Sequence, residues 1–346
     1  MRRDVTRFLC KLLLFLLPLL TLFGYAEVRL RRVSNGYRDK RVFLERQLDS
    51  VEVLVLGSSH AYFGIDPQCL SLRAVNLAFT NQSLYYDTRL VREYLDRMPR
   101  LQLVVVEVNC VSLWRQIADG QEPWRDYFYY HFWGIRYRNL ARFDPMMVSY
   151  VALYTWKATL GYARRNFNVN PTCDPLSNGR APASCPNGFG NDPADTTTSP
   201  ALVRDSWGKD RVRCLDSMMQ ASHLSENIAD LDTMLEELGR KHIRVVFVTV
   251  PAFESYSRYL SPAVNLRNVQ VMDSLCSKYV CRRVDYLTDK RFLASDFRDA
   301  DHLNFRGAQK LSRILNNDVI SDSIEPRVRN GDTTESPAGP TRWPLP

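Results

Sequence analysis

The residues with the clearest chemical potential lie near opposite ends of the 346-residue sequence. Close to the start, Val53-Leu54-Val55-Leu56-Gly57-Ser58-Ser59-His60 ends an apolar run on a glycine and two serines. Close to the finish, Asp299-Ala300-Asp301-His302-Leu303-Asn304 sets a carboxylate three residues before a histidine. A serine hydroxyl is a poor nucleophile until a base within hydrogen-bond reach removes its proton. An imidazole titrates near neutrality, so it can take that proton and return it to a leaving group. A carboxylate on the other ring nitrogen fixes the tautomer and stabilises the imidazolium. Ser59, His302 and Asp299 are therefore the candidate nucleophile, base and orienting carboxylate. Ser58 reads as a turn residue, His60 as pointing away from the site, and Asp301 as too close a neighbour of His302 for good geometry. Glu107 and Asp87 are expected to fill structural roles.

These side chains need a scaffold that brings them to one edge. Apolar runs at Val51 to Leu56, Val75 to Ala78, Leu101 to Val108, Ile243 to Val250 and Val280 to Tyr286 read as strands. Helical spacing runs through Ser83 to Met98, Ser222 to Arg240, Val264 to Tyr279 and Phe305 to Leu315. Strands alternating with helices imply a parallel sheet with helices on both faces, and such sheets place ligands at the C-terminal ends of their strands. Residues 112–215 break the rhythm with aromatic-rich helical stretches and a polar loop from Asn168 to Pro200, and read as an insertion or cap on the sheet. The aromatic tract Trp124 to Trp133 suits a membrane interface, a carbohydrate groove or plain packing. Residues 321–346 are polar and Pro-rich and are expected to be disordered.

In this order the motifs resemble the SGNH/GDSL hydrolase superfamily, and within it membrane-anchored envelope proteins similar to the DltD and alginate O-acetylation groups. Gly57-Ser58-Ser59-His60 matches the nucleophile block, with Ser58 where many members have Asp. Asn76-Leu77-Ala78-Phe79-Thr80-Asn81-Gln82-Ser83 resembles the second block, with Ala78 in place of the glycine whose N–H helps hold an oxyanion. Asp299-Ala300-Asp301-His302 matches the closing block. The third block is represented only by Asn109, just past a strand and without its glycine. The resemblance implies a three-layer α/β/α, flavodoxin-like fold over residues 51–320. It also implies a Ser59-His302-Asp299 triad, oxyanion donors at Ala78 and Asn109, and ester or acyl-transfer chemistry without a cofactor. The substrates it implies are acylated envelope glycans or lipid-linked molecules, with a membrane-bound acyltransferase as a partner. A catalytically degenerate scaffold subunit of an acylation system is the alternative.

The N-terminal residues bear on location. Phe8 to Val28 is almost wholly apolar, with Lys11 near one end and Pro18 inside, and about twenty such residues span a bilayer. Residues 1–28 therefore read as an uncleaved signal-anchor, followed by a charged stalk over 29–50; the rival is a signal peptide cleaved near Gly24-Tyr25-Ala26. Both carry the rest of the chain outside the cytoplasm, which implies a single-pass protein of the cytoplasmic membrane with its domain in the periplasm. The basic flank beyond the segment reverses that topology by the positive-inside rule taken alone, so the orientation rests on the resemblance. The formal charge of +8 clusters partly on these flanks, suits anionic lipid, and comes without the spacings of nucleic-acid-binding motifs. No metal-ligand spacing stands out. Cys173 with Cys185, and Cys276 with Cys281, are candidate disulfide pairs for an oxidising exterior.

Overall fold

The computed structural model describes residues 2–33, 35–141, 143–154, 188–191, 193, 196–199 and 205–320. Five strands, Val53–Leu56 (β1), Ala74–Asn76 (β2), Leu103–Glu107 (β3), Arg244–Thr249 (β4) and Cys281–Asp285 (β5), form one parallel sheet in the order β2-β1-β3-β4-β5. The central strands are runs of Val and Leu because both faces are covered. One face (Val53, Val55, Leu103, Val105, Val246, Val248) joins the core cluster that holds the last helix. Its alternating partners Leu54, Leu56, Val104, Val106, Val245 and Phe247 are equally buried. The expected α/β fold with a parallel sheet is thus present, with the strands shorter than the apolar runs. β2 stops at Asn76 because the Asn76 side chain caps its own turn, taking the Ala78 N–H at 2.9 Å.

The helices in chain order are Arg2–Arg31 (α1), Gly36–Glu45 (α2), Ser59–Gly64 (α3), Leu84–Tyr94 (α4), Arg125–Trp133 (α5), Pro145–Val148 (α6) and Tyr150–Leu153 (α7). They continue as Asp205–Asp216 (α8), Ala221–Arg240 (α9), Glu254–Ser257 (α10), Pro262–Lys278 (α11) and Phe305–Leu315 (α12). α12 starts sharply because Asn304 caps it, accepting from Gly307 N at 3.0 Å. Its buried positions Ala308, Leu311, Ser312 and Leu315 follow helical spacing and face the sheet cluster. Ser312 Oγ also accepts from Asp66 N at 2.8 Å, just beyond α3, which locks the helix carrying Ser59 against the closing helix.

Two compact units divide the chain. Residues 40–123 and 183–346 contain the sheet, and residues 1–39 and 124–182 form the other unit. Within the segment 29–50, expected to be a charged stalk, Lys40 and Leu44 are buried in the sheet unit. α1 is long and apolar enough to cross a membrane. In the same unit the aromatic tract is core: Phe128, Tyr129, Phe132 and Trp133 are buried, and Arg125 donates to Tyr37 Oη at 3.0 Å. The tract's buried rings are committed to packing and are closed to a sugar or a lipid surface. The Cys173 to Cys185 pairing, most of the polar loop and the 321–346 tail lie outside the described residues.

The turn after β1 depends on a glycine. Gly57 has φ +130°, and a Cβ there would sit 2.6 Å from Glu107 Cβ and 2.8 Å from its Oε2. Both backbone conformation and space exclude a side chain. Gly57→Ala is expected to lower the unfolding free energy of the full-length chain by about 2 kcal/mol or more in a urea titration; an unchanged midpoint contradicts this reading.

Candidate active site

The site lies where β1 and β3 end side by side, the point at which a sheet of this strand order reverses direction and opens a crevice. β1 runs into Gly57, Ser58 caps α3, and Ser59 is the first residue of that helix. From the other end, residues 296–304 are folded tightly by Arg298 N to His302 O (2.9 Å), Asn304 N to Asp296 O (3.0 Å) and Phe253 N to Ala300 O (2.9 Å). This loop presents His302 directly to α3.

The three candidate residues meet. His302 Nε2 lies 2.8 Å from Ser59 Oγ, and His302 Nδ1 lies 2.9 and 3.1 Å from the two oxygens of Asp299. Asp299 also accepts from the backbone N–H of His302 at 2.9 Å and of Asp301 at 3.2 Å. The carboxylate is therefore held by the same loop that carries the imidazole, as the Asp-x-x-His spacing allows. With Nδ1–H directed at Asp299, Nε2 is left as an acceptor facing the serine hydroxyl.

Behind this line lies a buried row of charges that the sequence did not disclose. Glu107, at the end of β3, accepts from both Ser58 N and Ser58 Oγ at 2.8 Å. Its other oxygen is 3.4 Å from His60 Nδ1, while His60 Nε2 is 3.5 Å from Asp301 Oδ2. Asp301 in turn takes Arg211 Nε at 2.8 Å and lies 3.4 Å from His302 Nδ1. Burial works against a charged His60, but Asp301 and Glu107 outweigh it and raise its pKa to about 9. Burial likewise opposes the Asp301 charge, and His302, His60 and Arg211 overcome it and hold that carboxyl well below the usual range. The expectation that His60 points away is corrected: its ring packs 5.1 Å from that of His302. Asp301 is corrected too, from a bystander to a buried counter-ion. Deeper still, Asp87 accepts from Gly57 N at 3.0 Å. Burial pushes Asp87 up to about 7 despite its bonds to Gln82 and Gly57.

The two expected oxyanion donors fare differently. The Ala78 N–H is not free, since it donates to Asn76 Oδ1 at 2.9 Å; Ala78 is corrected to a structural turn residue. Lys40, wholly buried, fixes the same turn by donating to the carbonyls of Asn76 (3.1 Å) and Ala78. Asn109 does line the pocket that contains Ser59. Its amide nitrogen is 3.1 Å from Ser58 Oγ and 3.2 Å from His60 Nδ1. When His60 is protonated its Nδ1 carries a hydrogen and cannot accept, so one Asn109 N–H is released. The backbone N–H of Ser59 has no partner among the described residues.

His60, Asp301 and His302 bring potential ligand atoms within 4.8 Å of one another. They do not suit a cation: His60 is held protonated between carboxylates, and both ring nitrogens of His302 are engaged. Cys276 and Cys281 are free thiols, and the neighbouring Cys276 is the main cause raising the Cys281 pKa. The candidate pair Cys276 and Cys281 is therefore not joined in a disulfide. One signal of the hidden row was present in the sequence, namely a glutamate closing an otherwise apolar strand. Nothing local marked Arg211.

No family profile and no curated protein matches the sequence. Among solved structures, the chain is similar to a "putative platelet activating factor" from Streptococcus pneumonia, at 11% identity, 88% of this chain, 97% of that one and TM-score 0.37. It is also similar to a "putative acylhydrolase" from Bacteroides fragilis NCTC 9343, at 10% identity, 81% of this chain, 95% of that one and TM-score 0.37. The chemistry of the site therefore rests on its own geometry.

The charge row has a pH signature. The pKa of His60 is about 9 in the folded chain and 6.5 ordinarily, so the stability it contributes is complete below pH 6.5 and lost as pH rises through 9. Asp87, raised to about 7, also erodes stability as pH rises, but mainly below that window. Unfolding free energy is expected to fall by up to about 3 kcal/mol between pH 7 and 9.5, and His60→Asn should remove most of that slope. Equal slopes for both proteins in urea titrations contradict the assignment.

Proposed function

We propose that the chain is a serine ester hydrolase or acyl transferase. The observation that supports this most is the continuous Ser59–His302–Asp299 hydrogen-bond line at the mouth of a pocket. Ser59 Oγ attacks the carbonyl carbon of an ester while its proton passes to His302 Nε2. Asp299 holds the imidazolium. The tetrahedral oxyanion takes the Ser59 N–H and the Asn109 N–H that protonated His60 releases. Collapse breaks the bond to the alcohol, which leaves with the proton from His302, and an acyl group remains on Ser59. Water or a second hydroxyl, deprotonated by His302, then accepts the acyl group and regenerates the serine. Hydrolysis and transfer differ only in that acceptor.

The finer reading places this site outside the cytoplasmic membrane, anchored through α1, with acylated envelope glycans or lipid-linked molecules as substrates and a membrane-bound acyltransferase as partner. It draws on the length and apolarity of α1 and on the resemblance of the motifs. The loss of the Ala78 donor to Asn76 favours one alternative, a scaffold that keeps the fold without turnover.

Hydrolysis of p-nitrophenyl acetate by the purified full-length chain separates the two. The enzyme reading expects turnover that Ser59→Ala and His302→Ala each reduce roughly 10⁴-fold or more. Asn109→Ala is expected to lower kcat by ~10²–10³-fold, the usual effect of removing one oxyanion donor. A folded wild-type chain whose rate equals that of Ser59→Ala favours the scaffold.

A further inference from the structure

The pocket beside Ser59 is about 160 Å³ and is bordered by Ser59, Asn81, Asn109, Arg115, Glu122 and Arg211 among others. Two guanidinium groups on one small pocket demand an explanation. Arg115 is only 5% exposed, yet it has no carboxylate partner among the described residues. Of its five N–H donors, one goes to Asn81 Oδ1 and one to Asn81 O at 3.2 Å. Arg211 gives Nε to Asp301, and its four terminal N–H groups have no partner among the described residues. Glu122 contributes one carboxylate, partly exposed, on the same border. A buried cation without a counter-ion is costly, and the cost falls when an anion arrives. Burial lowers the Arg115 pKa and the nearby Arg211 charge lowers it further, while Glu107 and Asp119 offset this only in part.

We propose that this pocket is an anion subsite, in which Arg115 and Arg211 hold a carboxylate or phosphate group carried by the ester on which Ser59 acts. A planar guanidinium fork suits such oxyanions. The cavity is ample for one, since ~10–15 Å³ already admits a water. The substrate class becomes an anionic ester. This rests on the reading of Ser59 as the nucleophile, but the binding half can be tested without it.

In the full-length Ser59→Ala chain, calorimetric titration with inorganic phosphate and with acetate is expected to show saturable binding, weakened about tenfold or more by Arg115→Gln, as for loss of a charge-assisted bond. With Ser59 intact, the wild-type preference in kcat/KM for 4-acetoxybenzoate over phenyl acetate is expected to fall by a similar factor on Arg115→Gln. Because Arg115 anchors Asn81, Arg211→Lys provides a second variant, keeping a cation beside Asp301 while removing the terminal fork. Phosphate and acetate binding in a chain inactive on every ester upholds the subsite and rejects the nucleophile. Ester turnover with no saturable anion binding, or a preference unchanged in both folded variants, overturns the subsite and leaves the nucleophile standing.

Discussion

The 2.8 Å contact between Ser59 Oγ and His302 Nε2 joins positions 243 residues apart, and the rest of the structure is arranged so that it can exist. Chain entropy opposes so distant a closure. A parallel sheet solves the problem by bringing the C-terminal ends of its strands to one edge, where β1 delivers the serine. The second half of the contact comes from the loop before α12. That helix is fixed by its apolar face, by the Asn304 cap and by the Ser312 bond to the segment after α3. The precision of the contact is thus inherited from two rigid elements and one tight loop.

Electrostatics then specifies the site. Glu107, His60, Asp301 and Arg211 alternate in sign from β3 to the pocket. Each buried charge is tolerable only because its neighbours are present, so breaking the row at one member costs more than its pairwise contacts suggest. Glu107 has a second task, receiving both polar groups of Ser58 and occupying the space that only glycine at position 57 leaves open. The turn that carries the serine and the charge row behind it therefore share a single carboxylate. The carboxylate beside His302 is less enclosed: Asp299 is a fifth exposed, against 1% for Asp301.

Much of this was legible in the residues. The alternation of apolar runs and helical spacing identifies all five strands, and the Gly-Ser-Ser and Asp-x-x-His motifs single out three side chains that meet, Ser59, His302 and Asp299. Each is a local signal with a direct physical cause. What escaped was tertiary. His60 read as pointing outward because sequence adjacency to Ser59 says nothing of what packs on the other side. Asp301 read only as a neighbour of His302 because its partner Arg211 lies on a helix 90 residues away. Ala78 read as a donor because the competing acceptor is the side chain of Asn76, two residues before it. The aromatic tract left membrane, carbohydrate and packing readings open because composition does not distinguish rings that meet a ligand from rings that meet each other.

The most direct measurement is to treat the folded chain with a fluorophosphonate and map the adduct by peptide mass spectrometry. An activated alcohol beside an imidazole predicts a single phosphonylated residue, Ser59, and labelling slowed by orders of magnitude in His302→Ala. A modification spread over other serines, or one equally fast without His302 in a folded chain, contradicts the account.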